Sequence, residues 1–312
     1  MPEAAAGQEG RTVASDREKP DWEELGRLLS RGYIDSGFIG GVTRVPVADV
    51  VRDMLSEARA DEQVAELRRT AAAAGVDADG ARILEVGSGC GMTVVRGRTA
   101  HGLDIHGIEP SMGEYSSTLD VCRRLIDHYG LPADAVRDAT GEAIPFADAS
   151  FDIVYSSNVL EHVGDPAAVL DEALRVLKPG GLLLVVVPNY GSWWEGHYGI
   201  LWLPRMPAGL AKLYVRLFGR DPAYVDTLNL IDRPWFDRWL GRHPGRLEVL
   251  DWGWGVFEQR LRTLGFGDWA ALSVAKRIVT FVHRSGLLEP AIWLARRLHW
   301  ETPIIFVARK KE

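Results

Sequence analysis

Cysteine is scarce in this 312-residue chain: Cys90 and Cys122 are the whole complement. Two cysteines 32 residues apart cannot form a disulfide framework or a CxxC metal site, and both are expected to be reduced. Long apolar runs are missing too, because no window reaches the ~20 apolar residues needed to span a bilayer. Met1-Pro2-Glu3-Ala4 opens an acidic, Ala/Gly-rich leader that lacks the basic and apolar regions of a signal peptide, so a cytoplasmic location is expected. Nor is there an excess of positive charge. The chain carries 36 Lys/Arg against 43 Asp/Glu, a net −7, with no dense Lys/Arg run, which disfavours nucleic acid as a partner. Internal repeats and long low-complexity tracts are absent.

What is present is an ordinary globular composition, 46% hydrophobic and 25% charged, long enough for one large domain with an elaboration or for two small ones. The net charge hides an asymmetry. Residues 1–189 hold 18 Lys/Arg against 31 Asp/Glu, whereas 190–312 hold 18 against 12, and ten of the eleven tryptophans lie after residue 190. Composition therefore divides the chain into an acidic first part and a basic, Trp-rich last part.

The first part is organised around Arg82-Ile83-Leu84-Glu85-Val86-Gly87-Ser88-Gly89-Cys90-Gly91. An apolar run that stops at three glycines reads as a buried strand ending in a loop whose backbone approaches something closely. Before it, residues 1–20 lack apolar periodicity and read as a disordered tail. Asp21 can cap a helix through about Arg31, a glycine-punctuated aromatic stretch at 32–41 reads as a flap, and helical spacing continues over 46–59 and 61–74. After the loop, strands at Ile83–Val86, Ile105–Glu109, Ala135–Asp138, Phe151–Ser156 and Leu182–Pro188 alternate with helices near 92–100, 113–129 and 166–177. Only a turn fits 141–144. Such alternation predicts crossover units and a mainly parallel sheet covered on both faces. From Asn189 the rhythm breaks into an aromatic, irregular stretch, followed by helical spacing at 210–218, 233–241, 254–264 and 287–299 and a last strand, Ile304–Ala308.

A glycine loop after the first strand of a parallel sheet suits a nucleotide, because ligands bind where the topology switches at the carboxyl ends of strands. The dinucleotide fingerprint is GxGxxG, with its third glycine placed for helix packing beside a pyrophosphate. Here the spacing is GxGxG, one residue shorter, which argues against an NAD-dependent oxidoreductase. Glu109, at the end of the second strand, is placed to accept hydrogen bonds from both ribose hydroxyls of an adenosyl ligand. Glu85 is a carboxylate within an apolar strand end that needs a partner, and a cationic ligand is one candidate. Asp138-Ala139 can offer a carboxylate to an adenine amino group and a backbone N–H to a ring nitrogen. Each acid alone reads equally well as a surface acid, and the argument rests on their joint spacing.

With these residues in place, the stretch from about 80 to 188 resembles a class I S-adenosylmethionine-dependent methyltransferase of small-molecule type. The resemblance is carried by Glu85–Gly91, by Gly107-Ile108-Glu109-Pro110-Ser111, and by Asp138-Ala139-Thr140-Gly141-Glu142-Ala143-Ile144-Pro145-Phe146. It continues in Phe151–Val163, with Asn158-Val159-Leu160-Glu161-His162, and ends at Leu177-Lys178-Pro179-Gly180-Gly181. It implies an α/β, doubly wound, seven-stranded, mainly parallel sheet with a reversed last strand at Ile304–Ala308, preceded by a sixth near 268–274. It also implies S-adenosyl-L-methionine as cofactor, held by Glu85, Gly87, Ser88, Gly89, Gly91, Glu109, Pro110, Asp138, Ala139 and Asn158. The expected division is a tail at 1–20, an N-terminal helical cap at 21–75, the cofactor-binding core at 76–189, a substrate lid inserted after strand five at 190–252, and completion of the core at 253–312.

Methyl transfer from a sulfonium is a single displacement, so the protein mainly aligns the reacting atoms and excludes water. A neutral hydroxyl or acidic carbon must also lose a proton, which requires a base. His162 is one candidate, with a plain bracing role as its alternative; His197 and Glu195, in the aromatic stretch after the fifth strand, are the rival pair. Tyr33, Tyr190, Trp193, Trp194 and Tyr198 are the expected substrate contacts, since aromatic side chains form apolar pockets, although tryptophans that are simply core explain the composition as well. The acceptor is expected to be a small molecule, first a hydroxyl of a bulky natural-product or sugar-containing metabolite of secondary metabolism. A C- or N-methyltransferase acting on an acidic, phosphorylated or lipid-linked substrate is the alternative, and a non-catalytic cofactor-binding protein the rival from another class. No metal cluster is expected. The amphipathic 210–218 stretch could rest on a membrane surface, but packing against the lid is the expectation; a homodimer stays open.

Overall fold

A computed structural model describes residues 19–111, 116–265 and 273–311 of the chain. The expected tail at 1–20 lies almost entirely outside the described residues. Three helices lead in: α1 (Trp22–Asp35), α2 (Val47–Met54) and α3 (Glu57–Ala73). The Asp21 side chain accepts a hydrogen bond from the Glu24 backbone N–H, with Glu23 and Glu24 in the positive first turn, so α1 starts where its sequence says it should. Leu25 and Leu29 bury its inner face.

The core then alternates: β1 (Arg82–Val86), α4 (Met92–Thr99), β2 (Asp104–Glu109), α5 (Ser116–His128), β3 (Val136–Asp138), β4 (Phe151–Ser157), α6 (Pro166–Val176) and β5 (Leu177–Val187). An insertion follows, with the two-residue strands β6 (Trp194–Glu195) and β7 (Ile200–Leu201), α7 (Ala208–Leu217), a short 3-10 turn at Ala223–Thr227 and α8 (Arg233–Gly241). The chain returns to the sheet with β8 (Leu247–Asp251), runs through α9 (Trp254–Thr263), α10 (Ser273–Arg284) and α11 (Leu288–Leu298), and ends on β9 (Ile304–Lys310). Among the described residues no helix is long and apolar enough to cross a membrane.

The seven-stranded sheet has the order β3-β2-β1-β4-β5-β9-β8. The first five strands are parallel, and β9 runs antiparallel to both β5 and β8. Central strands buried on both faces read as continuous apolar runs, as Leu182–Val185 and Val187 of β5 do, each of which buries enough side chain to contribute roughly 1.5–3 kcal/mol. The doubly wound sheet with a reversed last strand is as expected. Its sixth strand is not. The expected strand near 268–274 falls largely outside the described residues and its last two positions open α10, while the strand hydrogen-bonded to β9 is Leu247–Asp251. That strand lies inside the segment read as lid, so 190–252 supplies both a cover and part of the sheet.

The chain leaves β1 toward β2 and β3, then crosses back to β4 on the other side. The crevice for a ligand therefore opens at the carboxyl ends of β1 and β4. Two segments cover it. Tyr190, Tyr198, Ile200, Trp202, Met206, Ala211, Val215, Tyr224, Val225 and Leu228 of the insertion form a separate apolar cluster, into which Val42 and Phe38 of the N-terminal segment also pack. The Asp221 N–H donates to the Gly41 carbonyl and ties the two together. Both cysteines are free and buried; burial raises the Cys90 thiol and pushes Cys122 up to about 12, so neither is a nucleophile at neutral pH.

Candidate functional site

The loop after β1 turns back under the end of β2. The N–H groups of Gly87 and Ser88 both donate to the Ile108 carbonyl, and the Gly89 N–H donates to Glu109 Oε2 at 2.8 Å. Gly89 is left-handed, with φ 53°, and a side chain there would be strained even though nothing crowds it. Gly87 is constrained twice: its φ is 77°, and a Cβ on it would collide with the methyl groups of Val159. The loop after β4 is thereby seated against the glycine loop.

Glu109 pairs in register with Asp138 across β2 and β3. Its carboxylate is buried, accepts from the Thr118 hydroxyl at 2.8 Å as well as from Gly89, and has its pKa raised mainly by burial. Asp138 is more open. It accepts from the Ser111 N–H at 2.9 Å and from Arg123, and these contacts, Ser111 first, lower its pKa. Glu85 is the least satisfied of the three acids. It is 6% exposed, its Oε2 meets no donor, and burial, only partly offset by Thr93 and Ser88, raises it to about 7. A buried carboxylate with an orphaned oxygen beside a glycine cradle fits a ligand that brings a cation and hydroxyls, as S-adenosylmethionine does with its amino group and ribose. Asn158, with φ 55°, turns the chain out of β4 and is itself exposed.

Beyond Asn158 the second half of the site assembles. His162 closes a turn onto the Val159 carbonyl, three residues from the side chain that faces Gly87. His197, from the turn between β6 and β7, places its Nε2 3.3 Å from His162 Nε2. Its Nδ1 donates to Glu195 Oε1 at 2.6 Å, while Glu195 Oε2 accepts from the Tyr198 N–H and the Tyr190 hydroxyl leans on Oε1 at 3.4 Å. Glu195 is thus a buried carboxylate with three donors, and it fixes which imidazole nitrogen faces the cluster. Burial alone would lower the His197 pKa, but the charge and hydrogen bond of Glu195, with Glu161, outweigh it and the net shift is upward. Burial, followed by the charge of His197, lowers His162 to about 3. The rival base candidates are therefore one constellation.

Aromatic rings lead outward from it. Tyr224 lies 5.7 Å from the His197 ring and 6.3 Å from that of His162, Phe38 lies 5.4 Å from Tyr224, and Tyr33 lies 5.9 Å from Phe38. Of the expected substrate contacts, Tyr33 joins this row. Tyr190 and Tyr198 are lid core, the latter donating its hydroxyl to the Asp221 carbonyl at 2.7 Å. Trp194 is buried, and Trp193 packs against the Phe257–Leu261 cluster formed with α10 and α11. These tryptophans serve packing, the plainer of the two sequence readings. Two residues were missed. Glu161 is fully buried beside the histidines, and Tyr224 bridges them to the N-terminal flap. Glu161 stands beside His162 in the Leu-Glu-His motif, a signal that could have found it, whereas nothing local marks Tyr224.

A family model described as a methyltransferase domain matches residues 84–185. A protein from Mycolicibacterium vanbaalenii, described as an uncharacterized methyltransferase, is 35% identical over 155 residues, 48% of this chain and 56% of that protein. One with the same description from Mycolicibacterium gilvum is 33% identical over 187 residues, 56% of this chain and 68% of its own length. The chain spans about half the length of other mycobacterial relatives that it matches. Among solved structures, the [4+2]-cyclase SpnF superposes with a TM-score of 0.46 at 19% identity, covering 95% of this chain and 98% of that one.

Proposed function

Since the chain belongs to the class I S-adenosylmethionine-dependent methyltransferases, we propose that it transfers the methyl group of that cofactor to a hydroxyl of a small-molecule acceptor with an apolar or aromatic body. The cofactor lies across Glu85–Gly91, Glu109 and Asp138-Ala139, with its amino group toward Glu85. The acceptor enters along Tyr33, Phe38 and Tyr224. Its oxygen bonds to the methyl carbon as sulfur leaves with the electron pair of the broken bond, giving S-adenosylhomocysteine; the hydroxyl proton is lost at the cluster formed by Glu161, His162, Glu195 and His197.

The observation that carries this reading is the position of that cluster. Val159 bears on Gly87 of the cofactor loop, and His162 follows it by three residues, so proton-handling groups stand beside the cradle rather than on the far side of the lid. A base or charge-stabilising group within reach of the acceptor contributes typically 10²–10⁴-fold in such a transfer.

The test is calorimetry with S-adenosylhomocysteine, combined with transfer of isotopically labelled methyl to a panel of hydroxylated polycyclic acceptors and their amino and carbon-acid counterparts. The expected result is binding of the demethylated cofactor and label on oxygen, with His197→Ala losing at least 100-fold in turnover while S-adenosylhomocysteine affinity is kept. Label found only on nitrogen or carbon would overturn the oxygen assignment. Binding without transfer to any acceptor would favour a cofactor-binding protein without catalysis.

A further inference from the structure

Glu161 is a buried carboxyl without a hydrogen-bond donor. Its side chain is fully buried, and neither carboxylate oxygen meets a hydrogen-bond donor. Its neighbours are two imidazole nitrogens: Oε1 lies 3.8 Å from His162 Nε2, which lies 3.3 Å from His197 Nε2, and the three ligating atoms fall within 4.8 Å of one another. A buried carboxylate is retained at such a place when it is paired, hydrogen-bonded or coordinates a metal, and the first two are not met by strong contacts here.

The imidazoles are set for the third. His197 Nδ1 donates to Glu195, so in the neutral ring Nε2 carries the lone pair, which a cation takes in place of a proton; a carboxylate behind a histidine is the usual outer support of a metal-bound imidazole. The separation of the two nitrogens also fits. Two bonds of about 2.0–2.1 Å at the tetrahedral angle put donor atoms about 3.3–3.4 Å apart, and the observed edge is 3.3 Å. A single hydrogen bond between the rings explains that distance equally well, but it leaves both Glu161 oxygens unsatisfied. A cation between the three groups accounts for both facts.

We propose that Glu161, His162 Nε2 and His197 Nε2 bind one divalent transition cation, Zn²⁺ being the best fit to two imidazoles and a carboxylate, with Glu195 as the residue that positions His197. Three protein ligands leave a fourth position open, as in catalytic rather than structural zinc sites. A role for that position in holding the acceptor oxygen rests on the methyl-transfer reading, whereas the binding of the cation does not. With its imidazoles bound to the cation the cluster acts on an acceptor hydroxyl through the cation and not as a base: the proton passes to solvent, and the cation stabilises the alkoxide that then takes the methyl group. The sequence hides this site, because Glu161 and His162 are adjacent while the third ligand comes 35 residues later in a lid turn.

The test uses the full chain, stripped by dialysis against a chelator and then titrated with Zn²⁺ and Co²⁺ in the absence of cofactor or acceptor. One equivalent is expected to bind, Co²⁺ giving the visible absorption of a four- or five-coordinate site and Zn²⁺ raising Tm. Glu161→Gln, His162→Ala and His197→Ala are each expected to weaken Zn²⁺ by more than 100-fold, and Glu195→Gln by 10–100-fold. His243→Ala, which removes a histidine bound to Asp171 on α6, leaves the binding unchanged. Glu161→Gln changes no volume, and far-UV dichroism with S-adenosylhomocysteine binding verifies that each variant is folded. No stoichiometric uptake, or uptake that survives all three ligand substitutions, overturns the proposal. Metal binding without methyl transfer to any acceptor upholds the site and removes the functional reading; methyl transfer by a chelator-treated protein that takes up no Zn²⁺ does the reverse.

Discussion

Val159 occupies the space that a side chain at Gly87 would need, so the loop after β4 and the loop after β1 are seated against each other through one glycine. His162 closes the turn that begins at Val159, so this contact links the glycine loop to the histidines. Gly87 also has φ 77°, so its replacement is strained in two ways.

Gly87→Ala is therefore expected to destabilise the fold by about 1–3 kcal/mol and to abolish high-affinity S-adenosylhomocysteine binding. Adding Val159→Ala removes the collision but not the backbone strain. Urea unfolding of the two single variants and the double variant should show a partial rescue, and full additivity would mean that the two loops do not bear on each other.

Glu109 holds the Gly89 N–H and the Thr118 hydroxyl and still has lone pairs to offer. Glu109→Ala should weaken S-adenosylhomocysteine binding by about 1.5–3 kcal/mol, the scale of a lost charge-assisted hydrogen bond. Calorimetry at matched folded fraction measures it. Unchanged affinity would refute its ribose role.

Glu85 gives a pH dependence with a definite sign. Burial raises its carboxyl from 4.5 to about 7 in the ligand-free fold. The native state therefore binds more protons than the unfolded chain between those values, and this group's contribution to stability, fully present below about 4.5, is lost as pH rises through about 7. Glu85→Gln should raise the Tm of the ligand-free protein at pH 8 while leaving it near the parent's at pH 5. At pH 8 the parent should gain more from the cofactor than the variant does, since only the parent has a charge for the cofactor's amino group to meet. Scanning calorimetry across pH 5–8, with and without S-adenosylhomocysteine, reads both effects.

Tyr198 and Glu195 should separate by readout. Tyr198→Phe removes a hydroxyl that donates to the Asp221 carbonyl, and should cost about 1 kcal/mol of stability with turnover kept. Glu195→Gln leaves the lid folded but weakens the acceptor that His197 Nδ1 and the Tyr198 N–H share, so turnover should fall at least 10-fold at saturating cofactor. Equal effects of the two substitutions on turnover would mean that Tyr198 is part of the acceptor site after all.

Much of this molecule is decided locally, and that part is legible in the amino-acid order. The cap Asp21 announces α1, because a side-chain oxygen close to an orphaned N–H is a matter of a few residues. The glycine loop Gly87-Ser88-Gly89-Cys90-Gly91 and the acids Glu109 and Asp138, each closing a later strand, come to one edge of the sheet for the same reason: parallel strands bring consecutive carboxyl ends together whatever covers them. Tertiary structure alone decided the rest. Which segment pairs with the reversed strand depends on sheet edges rather than on periodicity, so Leu247–Asp251 takes the place expected near 268–274. Whether a tryptophan lines a site or fills a core depends on its neighbours, and Trp193 packs against the cluster that Phe257 and Leu261 form with α10 and α11. Above all, Glu161 and His162 meet His197 and Glu195 only because the insertion after β5 folds back over the end of β4. Burial by that cover, absent from any local pattern, turns four scattered polar residues into one charged centre.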